Sequence, residues 1–108
     1  MVRRVTRRVL VVRLGEVGSA IYSLITEAGH KVYGYDVGPS KALNRLEDVK
    51  TPVDVMHVCF PYSKGFIDSV AGYVEMFKPS LVLIESTVPP ETTEEVYRKT
   101  GVDVAHPP

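Results

Sequence analysis

Short apolar segments of strand length alternate with longer segments of helical periodicity along most of this chain. The strand-like segments cover residues 9–14, 31–36, 53–60, 81–85 and 102–105. Apolar residues recur at helical spacing in residues 17–28 and 66–77. Residues 89–101 predict a further helix that begins at Pro89-Pro90 and ends at Gly101, and residues 40–46 predict a shorter helix. Strands that alternate with helices predict an α/β fold in three layers, with a parallel sheet between helices on both faces.

The length of 108 residues suits a single domain. We expect that domain to cover residues 9–108, after a basic amino-terminal arm in residues 1–8. Right-handed crossovers leave few topologies for about five parallel strands. We predict the strand order 3-2-1-4-5, with the topological switch point between strands 1 and 4.

Composition excludes several classes of function. Hydrophobic residues make up 44% and charged residues 24% of a chain with zero net charge, so nothing global indicates nucleic acid. The arginines of the basic arm predict a solvated terminus, with an acidic partner as the alternative; they are Arg3, Arg4, Arg7 and Arg8. No segment approaches the roughly 20 apolar residues of a membrane span. The single cysteine, Cys59, suits a cytoplasmic location.

The turn after the first strand resembles a dinucleotide-binding fingerprint. In a G-x-G-x-x-G turn the first glycine makes the bend and the second lets the backbone approach a pyrophosphate. The third lets the helix pack closely on the strand. Arg13, Gly15 and Gly18 occupy these three positions, so the second and third roles are kept. The helix that begins near Glu16 offers free N–H groups and a positive dipole end to a phosphate.

An acidic residue about 20 residues beyond the turn completes the fingerprint. Asp36 stands at the end of the second strand-like segment, where it is expected to hold the ribose hydroxyls of the cofactor. A carboxylate at this position repels a 2′-phosphate. The pattern therefore favours NAD over NADP.

Arg13 has four interpretations. Its side chain crowds the diphosphate, or its backbone is strained because the turn demands a glycine conformation. Alternatively, its guanidinium bonds a phosphate oxygen, or its head extends into solvent. We expect affinity for the dinucleotide to be weakened and not necessarily abolished.

Three stretches of the chain resemble a known family. They are GEVGSAIYSLITEAGHKVYGYDV, VDVMHVCFPYS and LVLIESTVPPETTEEV, and the resemblance extends over roughly residues 8–107. They resemble the amino-terminal NAD-binding domain of the UDP-glucose/GDP-mannose dehydrogenases, and more distantly the 6-phosphogluconate and 3-hydroxyacid dehydrogenases. The resemblance implies a Rossmann-type fold and NAD as the cofactor.

The same resemblance implies roles for individual residues. Gly15, Glu16, Val17 and Gly18 would wrap the pyrophosphate. Asp36 would hold the adenosine ribose, with Lys41 nearby, and Thr87 would lie near the nicotinamide ribose. The residues expected to flank the adenosine follow the third strand; they are Cys59, Phe60, Pro61 and Tyr62.

The sequence departs from this family in two respects. Arg13 replaces a glycine, and the family's nucleophilic cysteine, catalytic lysine and sugar-binding domain are expected beyond the part that this chain matches. Cys59 is expected to be an ordinary, partly buried thiol. We therefore predict a module that binds and orients NAD, either as a fragment or with a catalytic partner or a second copy. The alternative is a non-catalytic interaction or regulatory protein that has lost the cofactor.

Other polar residues fit structural roles better than catalytic ones. His57 lies within a strand and is expected to form a structural hydrogen bond. Glu85 is expected to cap the following helix, with substrate contact as the alternative, and His106 lies at the ligand-binding edge of the sheet. Neither a metal site nor a Ser-His-Asp arrangement can be assembled from the sequence.

Overall fold

The computed structural model describes residues 7–37 and 44–107. Four predictions fall wholly or largely outside these ranges: the roles of Arg3 and Arg4, the role of Lys41, and the helix over residues 40–46. The elements are β1 (Arg8–Val12), α1 (Glu16–Glu27), β2 (Lys31–Tyr35), a 3-10 turn (Leu46–Asp48), β3 (Val55–Val58), α2 (Phe66–Phe77), β4 (Leu81–Ile84), α3 (Thr92–Thr100) and β5 (Asp103–Ala105).

The five strands form one parallel sheet in the order β2-β1-β3-β4-β5. The α/β class and the parallel sheet are confirmed, whereas the predicted order 3-2-1-4-5 is wrong. β3 pairs directly with β1, with Val9 opposite Val55, so the switch point lies between β1 and β3. The physical reason is burial: Met56 of β3 is completely buried, as a strand with neighbours on both sides allows. β2, which begins with the exposed Lys31, forms the edge.

Most of the core lies between the sheet and the pair α2 and α3. α2 buries Phe66, Val70, Val74 and Phe77, which recur at helical spacing. Complete burial of each such side chain stabilises the fold by about 1.5–3 kcal/mol. Residues of the sheet complete this cluster; they include Leu10, Val12, Met56, Val58, Val82 and Ile84.

α1 packs on the opposite face of the sheet, against β1 and β2. The prediction of helices on both faces is therefore confirmed. Gly18 is the buried residue of α1, while Val17 and Leu24 are 55% and 66% exposed. α1 consequently presents apolar side chains to solvent as well as to the sheet.

The amino-terminal end of the fold begins with Arg8, which is already part of β1. Its backbone N–H donates to Asp54 Oδ2 at 2.6 Å, and its guanidinium donates to the carbonyl oxygen of Pro52. Arg8 thus belongs to the sheet, although the sequence analysis placed it in the basic arm.

Across the residues that the structure describes, no helix combines the length and the apolar character that crossing a bilayer requires.

Candidate functional site

The turn between β1 and α1 keeps the shape of a glycine turn although an arginine occupies its first position. Arg13 adopts φ = +78°, the left-handed conformation that glycine reaches without steric cost. An L-residue other than glycine pays about 1–2 kcal/mol for it. The Arg13 N–H donates to the carbonyl oxygen of Tyr35 at 2.7 Å, which ties the turn to the end of β2.

Gly18 marks the closest approach of α1 to the turn. A Cβ atom at this position would lie 1.9 Å from the carbonyl oxygen of Arg13 and 3.5 Å from the Cβ of Cys59. Real Cβ contacts essentially never fall below 3.0 Å, so any side chain here forces the helix away from the strand. This is the packing role that the fingerprint assigns to its third glycine.

Gly15 is surrounded by open space. A Cβ built on it would meet nothing within 4 Å among the described atoms, and its φ of −75° is available to any residue. The protein's own packing therefore does not require glycine at this position. A ligand that approaches the backbone closely would require it.

The amino terminus of α1 faces this same space. Gly15 is the N-cap and forms no side-chain capping bond, so the first turn depends on other acceptors for its N–H groups. Glu16 and Val17 follow as exposed residues. The helix dipole favours an anion here, while the carboxylate of Glu16 opposes it.

Asp36 is turned towards the protein at the carboxyl end of β2. Only 6% of the residue is exposed, and its Oδ2 accepts the backbone N–H of Leu14 at 2.8 Å. The carboxylate thus holds the β1–α1 turn, a role that the sequence analysis did not foresee. Its expected contact with a ribose stays a prediction.

A cavity of about 240 Å³ opens beside this turn at the carboxyl ends of β1, β2 and β3. It is lined by Val12, Arg13, Val37, Phe60, Pro61, Ser63, Ser69 and Tyr73. Three of the predicted site residues, Arg13, Phe60 and Pro61, therefore meet at one cavity. Its mixture of apolar walls and hydroxyl groups suits a planar aromatic ring that carries a polar sugar.

Sequence reasoning missed part of this lining. Ser69 and Tyr73 lie four residues apart on α2, and Ser63 precedes that helix. The available signal was a pair of hydroxyl-bearing residues at helical spacing, alternating with the buried Phe66 and Val70. Val37 was missed because it directly follows the predicted strand.

Two further predicted residues, Tyr62 and Thr87, are not among the residues that line the cavity. Tyr62 is 44% exposed, and its ring packs on Phe66 with centroids 5.3 Å apart. Thr87 is exposed in the loop after β4. The position of Lys41 is outside the described ranges. Their predicted contacts with a cofactor stay predictions.

Aromatic side chains build the wall of the cavity. Tyr73 packs against Phe60 at 6.0 Å and against Tyr35 at 6.2 Å between ring centroids. Burial raises the pKa of Tyr73, and the neighbouring Tyr35 and Asp36 raise it further. Tyr73 therefore presents a neutral hydroxyl, which donates and accepts hydrogen bonds.

A second polar group lies at the carboxyl ends of β3 and β4. His57 Nδ1 lies 2.7 Å from Glu85 Oε1, and both side chains are largely buried. This confirms the structural hydrogen bond expected of His57. The capping role expected of Glu85 is wrong, because α3 begins after Glu91, which acts as N-cap without a side-chain bond.

Two further contacts tie the neighbouring loops together. Ser86 Oγ donates to the carbonyl oxygen of Phe60 at 2.5 Å, and His106 Nε2 lies 2.9 Å from the carbonyl oxygen of Ser86.

Burial and the charge of Glu85 raise the pKa of Cys59 to about 12. Cys59 is a partly buried thiol, as predicted. Its raised pKa disfavours the thiolate that nucleophilic attack requires.

The architecture is that of a Rossmann-type domain, with a glycine-bearing turn and a cavity at the carboxyl edge of a doubly wound parallel sheet. Known proteins of this architecture include nucleotide-sugar dehydrogenases. The chain is 25% identical to the UDP-N-acetyl-D-mannosamine dehydrogenase of Methanocaldococcus jannaschii, with 94% of this chain and 34% of that protein covered. No protein-family model matches the chain.

Solved structures share the fold. The UDP-D-ManNAc dehydrogenase of Pyrococcus horikoshii superposes with a TM-score of 0.75 at 22% identity, covering 92% of this chain and 35% of that one. An imine reductase variant from Myxococcus stipitatus in complex with NAD+ gives 0.70 at 16% identity, covering 94% and 40%. The predicted resemblance to the NAD-binding domain of nucleotide-sugar dehydrogenases is confirmed, and the chain spans about a third of those dehydrogenases' length.

Proposed function

We propose that this chain binds NAD at the β1–α1 turn and the adjoining cavity, and that it holds the nicotinamide in place for hydride transfer. The observation that carries the proposal is the open space at Gly15, which the protein's own packing does not explain. A pyrophosphate over this glycine would be held by the backbone of residues 15–18. When bound, NAD supplies the hydride chemistry itself.

The adenosine half fits the cavity beside the turn. Phe60, Pro61 and Tyr73 offer faces for an adenine ring, and Val37, which follows Asp36 in the chain, also lines the cavity. The roles of Lys41, Tyr62 and Thr87 in this scheme rest on the resemblance to nucleotide-sugar dehydrogenases. The imine reductase that shares the fold was solved with NAD+, which supports the choice of cofactor.

Calorimetric titration with NAD+ and NADH tests the proposal. The unmodified chain is expected to bind both, and Gly15→Ala is expected to abolish binding because its Cβ occupies the space of the pyrophosphate. Gly72→Ala is the matched control, since a Cβ at Gly72 on α2 also meets nothing within 4 Å and lies outside the cavity lining. If Gly15→Ala and Gly72→Ala bind NAD+ with equal affinity, the open space at Gly15 no longer supports the proposal.

The second candidate is a non-catalytic interaction or regulatory protein that has lost the cofactor. Arg13 favours it, because an arginine replaces a motif glycine and lines the cavity. If neither NAD+ nor NADH binds to the folded chain, this second candidate is the better account.

We also propose that the sugar chemistry requires a catalytic partner or domain and that the chain acts in the cytoplasm. The exposed Val17 and Leu24 of α1 support an association with another protein surface or a second copy. Sedimentation of the unmodified chain and of Leu24→Lys tests this. If the chain self-associates through this surface, the substitution should shift it towards monomer. If both samples are monomeric, self-association is excluded and association with a different protein remains.

A further inference from the structure

The charge of the cavity differs from what the sequence pattern suggests. Of the residues that the structure shows lining it, Arg13 alone carries a charge; the others are apolar or bear a hydroxyl group. The acid that should define specificity, Asp36, is absent from that lining and only 6% exposed. The space open to a ligand is therefore lined by a cation.

The backbone of Arg13 lies beside the end of β2, where the fingerprint predicts the ribose of a dinucleotide. Its backbone N–H bonds the carbonyl oxygen of Tyr35, the residue immediately before Asp36. The next residue, Leu14, donates its N–H to the Asp36 carboxylate. Arg13, which precedes Leu14 in the chain, and Val37, which follows Asp36, both line the cavity. In Rossmann-type sites, an arginine close to the end of the second strand accommodates a 2′-phosphate.

The carboxylate of Asp36 opposes a 2′-phosphate less than an exposed acid would. One of its oxygens is engaged with a backbone N–H inside the protein, and a carboxylate that accepts such a bond has part of its charge compensated. Arg13 is exposed and its guanidinium carries five donors in a planar fork that matches a phosphate group. The hydroxyl groups of Ser63, Ser69 and Tyr73 add further donors around the cavity.

We propose that Arg13 makes this pocket accept an adenosine 2′-phosphate, so that the chain binds NADP as well as NAD. The proposal rests on the proposed dinucleotide function and assigns Arg13 as a specificity-determining residue within it. It reverses the expectation that Asp36 restricts the site to NAD. It also gives a reason for a strained arginine in a turn that glycine would form without cost.

Titration of the full chain with NAD+ and NADP+ tests the proposal, with Arg13→Gln and Arg13→Lys as a matched pair. Both variants are L-residues with long side chains and meet the same backbone penalty at φ = +78°. The dissociation constants of the unmodified chain are expected to agree within about tenfold. Arg13→Gln should weaken NADP+ by about tenfold or more, the change that one charged hydrogen bond to phosphate carries. NAD+ binding should change much less.

Arg13→Lys should retain most of the NADP+ affinity, and high salt should weaken NADP+ more than NAD+ in every chain that keeps the cation. Binding of NAD+ with no measurable binding of NADP+ would overturn the inference and leave the proposed function intact. An NADP+ affinity that Arg13→Gln leaves unchanged would overturn it as well. Failure of both dinucleotides to bind a chain with a normal unfolding transition would instead overturn the proposed function.

Discussion

Alanine at Gly18 tests the closest contact in the site. The added Cβ would lie 1.9 Å from the Arg13 carbonyl oxygen, so helix and turn must separate by about 1 Å to reach the 3.0 Å limit of real contacts. Overpacking of this kind costs typically 1–3 kcal/mol, and we take about 3 kcal/mol because the obstructing atom belongs to the backbone. Alanine returns about 1 kcal/mol through its higher helix propensity. The net loss is about 2 kcal/mol of unfolding free energy.

Thermal and urea denaturation measure this loss. For a domain of this size, about 2 kcal/mol lowers the melting temperature by roughly 8–16 °C. Gly15→Ala is the matched variant, because its Cβ meets nothing within 4 Å. Its loss should stay below about 1 kcal/mol, since alanine is merely a poorer N-cap. We therefore expect the two variants to have different effects: Gly18→Ala lowers stability, and Gly15→Ala lowers the affinity for the dinucleotide.

Equal stability of the two variants would refute the reasoning, because it would mean that α1 does not approach the turn as closely as the Gly18 contact requires. A Gly18→Ala variant that loses stability yet keeps the affinity for NAD+ would locate the effect in packing alone. Urea slopes must agree between the variants for the comparison to hold, since a changed slope indicates a changed unfolded or native state.

Three further predictions concern side chains around the same edge of the sheet. Because the pKa of Cys59 rises from 9.0 to about 12, native Cys59 should resist alkylation at pH 8. Its contribution to stability is present below about pH 9 and is lost as the pH rises from 9 towards 12, which unfolding at stepped pH measures. His57→Leu should destabilise the fold by about 2–4 kcal/mol, because Glu85 keeps a largely buried charge without its partner. The double variant with Glu85→Leu should recover most of that loss in urea titrations, and no recovery would contradict the pairing. Asp36→Ala should cost about 1–3 kcal/mol through the unmet N–H of Leu14, whereas Asp36→Asn, which keeps an acceptor oxygen, should cost less.

The sequence predicted the elements well because their signals are local. Helical spacing of Phe66, Val70, Val74 and Phe77 identified α2 with its correct bounds. The order of the strands depends on which pairs meet across the sheet, and local periodicity carries little information about that. The structure supplies the order: Lys31 of β2 is exposed, as an edge strand allows, and Met56 of β3 is completely buried between two neighbouring strands.

The site was predictable as a set of positions and unpredictable as a set of orientations. Conventional spacing located Arg13, Gly15, Gly18 and Asp36, and all four lie around one turn. Spacing does not reveal that the Asp36 carboxylate turns inward to the Leu14 N–H, because that bond depends on the exact shape of the turn. The same shape gives Arg13 a left-handed backbone conformation and places it among the residues that line the cavity. In this turn the acid has a structural contact and the cation is among the residues that line the cavity. If the chain binds dinucleotides as proposed, we expect its preference between NAD and NADP to depend on these orientations more than on residue identity.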